Sequence, residues 1–343
     1  MEEVEVPIPE PGEVCVRTEA AGICGSDIPR IYGTGAHRMP IIPGHEFSGV
    51  VEGIGKDAHS IWLGKRVGVY PLIACGRCYS CETGHPEVCE HYGYIGSRQD
   101  GAFAEYVCVP EGNLIQLPDE VSFEQGAMLE PLAVASHAIG TGLGASAGYV
   151  HGAKMVVCGL GTIGLLVVML LKERAFDNIY VIGNKKEQKT RVTKLGVPEE
   201  NFCDSTVEDV PQWLKDHTGG VDAFFECVGK NECLSYGVET MDPFGNIILI
   251  GNPLTDMILS RDAYWRILRE QITVTGSWNS TFLGGGFSEE NLDDWHYVMK
   301  LLRRHRIHPE ELITHRLRLD ELETGLQLMQ NKTKDHCKIM MIR

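Results

Sequence analysis

The sequence predicts an α/β protein of two domains: a β-rich, barrel-like domain and a doubly wound parallel sheet. Three observations predict it. Residues 1 to about 125 form short β-prone runs punctuated by Gly and Pro. Beyond them, β runs alternate with apolar helical stretches. At their junction a β run leads through Gly159-Leu-Gly161-Thr162-Ile163-Gly164 into a long apolar helix. A length of 343 residues gives both domains a full core.

In chain order, the first expected strands are 14–18, 49–53, 66–70 and 103–109, each rich in Val and bounded by turn residues. A helix follows over 127–140. Residues 154–158 read as a buried strand, 179–182, 223–226 and 247–250 as further strands, with helices between them. A helix at 293–304 and a strand at 338–342 are expected to return to the first domain. The expected boundaries are 1–128 with 280–343 for the β-rich domain and 129–279 for the parallel sheet. No repeat, low-complexity stretch or charge block interrupts this pattern.

The N-terminus, Met1-Glu-Glu-Val-Glu-Val6, lacks the basic and apolar regions of a signal peptide. The longest apolar run, 163–171, is too short to span a bilayer. A cytoplasmic protein with reduced thiols and no membrane partner is expected. The net charge of −16 argues against nucleic acid, which demands a basic footprint.

Cys75, Cys78, Cys81 and Cys89 fall within fifteen residues. Two successive Cys-x-x-Cys steps bring three thiolates to one ion, and a fourth closes a tetrahedron with no open position, the pattern of a structural zinc site.

The glycine loop has the context that makes such a motif meaningful. Gly159 permits a tight turn, Gly161 lets backbone approach a pyrophosphate, and Gly164 allows close helix packing. The helix start at Thr162 and Ile163 offers amides to phosphate. At the tip of the next strand, where an acidic residue would bond a ribose 2′-hydroxyl, stand Gly183, Asn184, Lys185 and Lys186. Two cations without a carboxylate favour the 2′-phosphate of NADP(H) over NAD(H).

Cys24-Gly-Ser26-Asp27 and Gly44-His45-Glu46 offer a thiolate and an imidazole from neighbouring loops, with carboxylates at hand. These are donors of a catalytic zinc that keeps a position for substrate. Glu130 is a candidate third ligand, and Asp27 is placed to orient His45 through its far ring nitrogen.

The string Gly44-His-Glu-Phe-Ser-Gly49-Val-Val-Glu-Gly-Ile-Gly55 resembles the signature of the zinc-containing medium-chain alcohol and polyol dehydrogenases. The resemblance runs over nearly the whole chain and implies a GroES-like catalytic domain joined to a Rossmann domain. Within the family, Cys24 to Ile31, Gly35-Ala-His37, Tyr94 to Tyr106 and Thr273 to Trp278 are similar to the branch that oxidises galactitol 1-phosphate. The resemblance implies Cys24, His45 and Glu130 as catalytic zinc ligands, with Glu46 an alternative ligand or outer-shell group. It implies Cys75, Cys78, Cys81 and Cys89 for a structural zinc, hence two ions per chain. Where polyol dehydrogenases often carry a relay histidine this chain has Pro29, so the resemblance implies that Ser26, water or ribose relays the proton.

The implied reaction is hydride transfer between a secondary hydroxyl of a phosphorylated sugar alcohol and NAD(P), with the nicotinamide held between the domains. Arg30, His37 and Arg98 are candidate phosphate ligands. A ribitol-5-phosphate reductase or a sorbitol-type dehydrogenase is the alternative, and a non-catalytic zinc-binding module is a different class that the acidic charge disfavours. A homodimer or homotetramer is expected.

Overall fold

The computed structural model describes residues 2–144, 152–284 and 293–343. It divides into two compact units, Met1–Ala133 with Ser280–Arg343, and Val134–Asn279. The division falls inside helix Leu129–Leu143, so Glu130 belongs to the first unit and not, as the expected boundary would have it, to the second.

The first unit is built on a seven-stranded sheet. Its order is Ile313–Leu317, Lys338–Ile342, Glu13–Ile23, Glu46–Ile54, Arg66–Val69 and Leu114–Gln116, with Tyr106–Pro110 also pairing on Glu13–Ile23. Ile313–Leu317 and Lys338–Ile342 pair in parallel; the other neighbours are antiparallel. Alternation explains the pleat: Val14 and Val16 point into a core with Phe47, Val51, Val67, Val107, Ile339 and Met341. The expected strand over 103–109 starts later. The N–H groups of Ala102 and Phe103 donate to Gly44 and Pro43, bracing the loop that presents His45. Gly44 sits at φ +98°, and a Cβ there would stand 2.6 Å from the Phe103 ring.

The expected helix over 127–140 is two helices, Phe123–Ala127 and Leu129–Leu143. Ser122 and Gln125 form a reciprocal capping box at the first.

The second unit is a six-stranded, all-parallel sheet. In chain order its strands are Met155–Cys158, Ile179–Gly183, Phe202–Asp204, Val221–Glu226, Met241–Leu249 and Thr273–Gly276. In space they run third, second, first, fourth, fifth, sixth. The order reverses between the first and fourth, where a doubly wound sheet opens a crevice at its carboxyl edge. Helix Thr162–Glu173 buries Gly164 to Leu171 without a break, which its apolar run requires. Among the described residues no helix is long and apolar enough to cross a membrane.

Candidate metal and dinucleotide sites

The four cysteines of the 75–89 loop converge. Their sulfurs lie within 4.8 Å of one another, with Cys78–Cys81 at 3.5 Å and Cys78–Cys89 at 3.8 Å. Tetrahedral ligation at 2.3 Å sets sulfur–sulfur edges of about 3.8 Å, so the cage fits zinc. Gly76 and Gly84 turn the loop at φ +69° and +86°. Backbone N–H groups of Cys81 and Glu90 push the Cys78 thiol down to about 6, which favours the thiolate a metal needs. The Cys75 N–H donates to Cys89 Sγ at 3.3 Å.

The second cluster is assembled at the facing ends of two neighbouring strands of the first unit. Cys24 follows strand Glu13–Ile23, and His45 and Glu46 open the next, whose Glu46 pairs with Gly22. The Cys24 thiol, the His45 imidazole and a Glu46 carboxylate oxygen lie within 4.8 Å of one another. Asp27, fully buried, stands 3.4 Å from His45 Nδ1, close enough to orient the ring though outside hydrogen-bond geometry. Burial alone would lower the His45 pKa; the charges of Asp27 and Cys24 overcome it and raise the value well above normal. The pocket therefore favours positive charge, and its thiolate, imidazole and carboxylate donors suit zinc.

Glu130 faces the same cluster without joining the tight triplet. It accepts a 3.2 Å hydrogen bond from the Tyr94 hydroxyl, and burial pushes it up to about 7. The order expected from sequence, Glu130 as ligand and Glu46 as alternative, is reversed in proximity. Glu46 in turn is engaged from behind. Lys338, buried on strand Lys338–Ile342, donates to Glu46 at 2.5 Å and to the Ile23 carbonyl at 3.2 Å. Burial would lower the Lys338 pKa, and the Glu46 carboxylate more than offsets that. A Cβ at Gly22 would collide with the Glu46 carboxylate. Neither Lys338 nor Gly22 was singled out in the sequence.

Two expectations change here. Ser26 does not stand free: its hydroxyl donates to Cys24 Sγ at 3.2 Å and accepts from Arg30 at 3.0 Å. Arg30 is not an uncommitted phosphate ligand, because the same guanidinium bonds Asp27 at 3.1 Å. Arg98 is less encumbered. It is exposed and lies over the Tyr92 ring at 4.5 Å; Tyr92 packs edge-on against Tyr94 and Tyr94 against His45. His37 is exposed, and partial burial with the charges of Arg98 and Arg30 lowers its pKa.

In the second unit the glycine loop has the expected form. Gly159 is at φ +94°, and a Cβ there would strike Val228. Gly161 opens onto free space, and a Cβ at Gly164 would collide with the Gly159 carbonyl. At the strand tip no side chain could replace the glycine. Gly183 leaves no room: Phe202, Gln188 and Leu160 lie 2.8, 2.9 and 3.0 Å from where its Cβ would stand. Gln188 accepts from the Asn184 N–H and donates to the Leu160 carbonyl, closing the space. Asn184, Lys185 and Lys186 are exposed at the N-terminus of helix Lys186–Lys194.

The alcohol dehydrogenase GroES-like domain model matches residues 10–119, and the zinc-binding dehydrogenase model matches 162–302. The chain belongs to the zinc-binding alcohol dehydrogenase family. Galactitol 1-phosphate 5-dehydrogenase of Escherichia coli is 31% identical over 308 residues, 89% of this chain and 85% of that one. The crystal structure of the galactitol-1-phosphate dehydrogenase from Escherichia coli superposes with a TM-score of 0.87 at 29% identity, covering 100% and 96%. L-Threonine 3-dehydrogenase of Pyrococcus furiosus is 31% identical over 96% and 91% of the chains. An NADP-bound zinc-binding dehydrogenase from Sinorhizobium meliloti superposes with a TM-score of 0.87 at 26% identity, covering 100% and 95%. Among zinc-binding dehydrogenase features, both sulfur-bearing clusters fall within the first matched stretch; Glu130, Gly159 and Gly161 lie between the two.

Proposed function

We propose that the protein is a zinc-dependent dehydrogenase that transfers hydride between a secondary hydroxyl of a phosphorylated sugar alcohol and NADP(H), with two zinc ions per chain. The observation that carries the phosphorylated substrate is the cationic edge of the Cys24–His45 cluster. Arg98 supplies that charge in a chain of net charge −16 and is linked to His45 through Tyr92 and Tyr94; His37 stands close enough for the charges of Arg98 and Arg30 to lower its pKa. The similarity to a galactitol 1-phosphate enzyme points the same way. A screen of NADP-linked turnover over matched free and phosphorylated alditols tests it. A preference for the phosphorylated member of each pair is expected, and equal or better turnover of the free alditols refutes it.

Cys24, His45 and Glu46 or Glu130 would hold the catalytic zinc ion, which would supply Lewis acidity toward the substrate hydroxyl. The chain's own residues do the rest. Asp27 fixes the His45 ring, Lys338 holds Glu46, and Arg30 orients the Ser26 hydroxyl beside Cys24. Ser26 is the group placed to pass on the hydroxyl proton. The Cys75–Cys89 cage binds no substrate; it fixes its loop. Cys81→Ala is accordingly expected to lower thermal stability and zinc content more than turnover per folded molecule. A soluble variant that retains two zinc ions would refute the assignment.

Lys185 and Lys186, at a helix N-terminus, are assigned to the 2′-phosphate. A charge-assisted contact contributes about 1.5–3 kcal/mol, so NADP(H) should be preferred by about one to two orders of magnitude in kcat/KM. Installing Asp at 183 would disturb Phe202 and Gln188; the cleaner variant is Lys185→Glu with Lys186→Glu. It is expected to remove the NADP(H) preference while leaving NAD(H) kinetics nearly unchanged. A wild type that already favours NAD(H) overturns the assignment.

We place the enzyme in the cytoplasm, where a reducing environment suits the five cysteines assigned to zinc. We infer a dimer through the open edge of the parallel sheet. Val274 on strand Thr273–Gly276, with Tyr264, Trp265, Leu268 and Trp278, leaves an apolar border exposed. Val274→Lys should shift the sedimentation coefficient to that of a monomer.

A further inference from the structure

Cys15 and Cys108 face each other across the antiparallel pairing of Glu13–Ile23 with Tyr106–Pro110. The hydrogen-bond phase says how closely. The Thr18 N–H donates to Glu105 at 2.9 Å and the Glu111 N–H to Gly12 at 3.0 Å. Bonded and non-bonded pairs alternate along such a ladder, so 12/111, 14/109, 16/107 and 18/105 are bonded and 15/108 is not. Pro110 opposite Glu13, with no N–H to give, agrees with that phase. A non-bonded pair brings its Cα atoms to about 4.5 Å, the closest approach in a sheet. That lies within the 4.4–6.8 Å that a disulfide spans.

The side chains have room to meet. Val14 and Val16 point into the core, so Cys15 points to the opposite face. On its other flank the partner is Gly53, which offers no side chain; a Cβ there would stand 3.0 Å from Cys15 Cβ. Cys108 is partly exposed, and its Sγ reaches the Pro7 carbonyl at 3.6 Å. The facing Cys108 thiol also lowers the Cys15 pKa.

We propose that Cys15 and Cys108 are a reversible oxidation site that closes to an intramolecular disulfide, separate from the cysteines assigned to zinc. The oxidant is a low-molecular-weight disulfide such as oxidised glutathione. A thiolate of the pair attacks one of its sulfurs, forming a mixed disulfide and releasing one thiol. The second cysteine attacks the protein-side sulfur, its proton leaves with the second released thiol, and the two-electron exchange is complete. Neither strand moves, so the cross-link stabilises the domain by constraining the unfolded chain between residues 15 and 108.

The test incubates the zinc-loaded native protein with oxidised glutathione, alkylates remaining thiols in denaturant, and maps the peptides. The expected result is a Cys15–Cys108 linked peptide, zinc content unchanged, and a Tm raised over the reduced protein and restored by dithiothreitol. Cys108→Ser and Cys15→Ser should each lose both the peptide and the Tm shift. Both thiols alkylated, a mixed disulfide that stays on Cys108, or linkage among Cys75 to Cys89 with zinc loss would overturn the proposal.

Discussion

Cys24→Ala is expected to lower kcat by at least roughly 10²–10³-fold, on the scale of losing one electrostatic stabiliser of the transition state. Folding and dinucleotide binding should survive. Cys24 is only half-buried, in the turn between strand Glu13–Ile23 and helix Asp27–Tyr32, so its removal empties no core space. The glycine loop belongs wholly to the other compact unit. Circular dichroism, NADP(H) titration and single-turnover kinetics separate the three readouts. Near-wild-type turnover of the zinc-depleted variant would end the metal mechanism.

Lys338→Met is expected to destabilise the protein by about 3–5 kcal/mol, the cost of leaving a buried carboxylate without its partner. Lys338 is 2% exposed and Glu46 is equally buried, so solvent does little to screen the loss. Much of the effect should be Glu46's stranded charge. The double variant Lys338→Met with Glu46→Gln is therefore expected to recover a large part of it in a double-mutant cycle of denaturation free energies. Additive single effects would show that the pair is not coupled.

The parts legible in the sequence are those whose chemistry is local. Cys75, Cys78, Cys81 and Cys89 lie within one loop, and Gly159, Gly161 and Gly164 act within one turn, so spacing alone implies geometry. The parts that were not legible depend on distant partners. Nothing near residue 338 announces that a lysine will be drawn under Glu46; that follows from the register Gly22↔Glu46 and Ile23↔Ile339. The truncated strand before Tyr106 reflects backbone bonds to Pro43 and Gly44, and the filled space at Gly183 reflects Gln188 one helical turn on. Strand Ile313–Leu317, with Thr314, His315 and Arg316 in the middle, carries little apolar signal and exists because strand Lys338–Ile342 offers it a partner.

That partner strand also imposes an order of events during synthesis. The carbonyl of Ile23 and the amine of Lys338 are 315 residues apart in the chain, with an entire compact unit encoded between them. While the nascent chain is still on the ribosome, Val134–Asn279 can collapse on its own contacts as soon as it emerges. The seven-stranded sheet cannot: Glu13–Ile23 can pair early with Glu46–Ile54 and Tyr106–Pro110, but its residues 20–23 lack a partner on one edge until residues 338–342 appear. The four-cysteine loop can capture its ion early, whereas Glu46 is held in place only once residues 338–342 have emerged. Pulse-chase proteolysis of stalled chains should therefore find the parallel sheet protected before the 20–23 end of strand Glu13–Ile23.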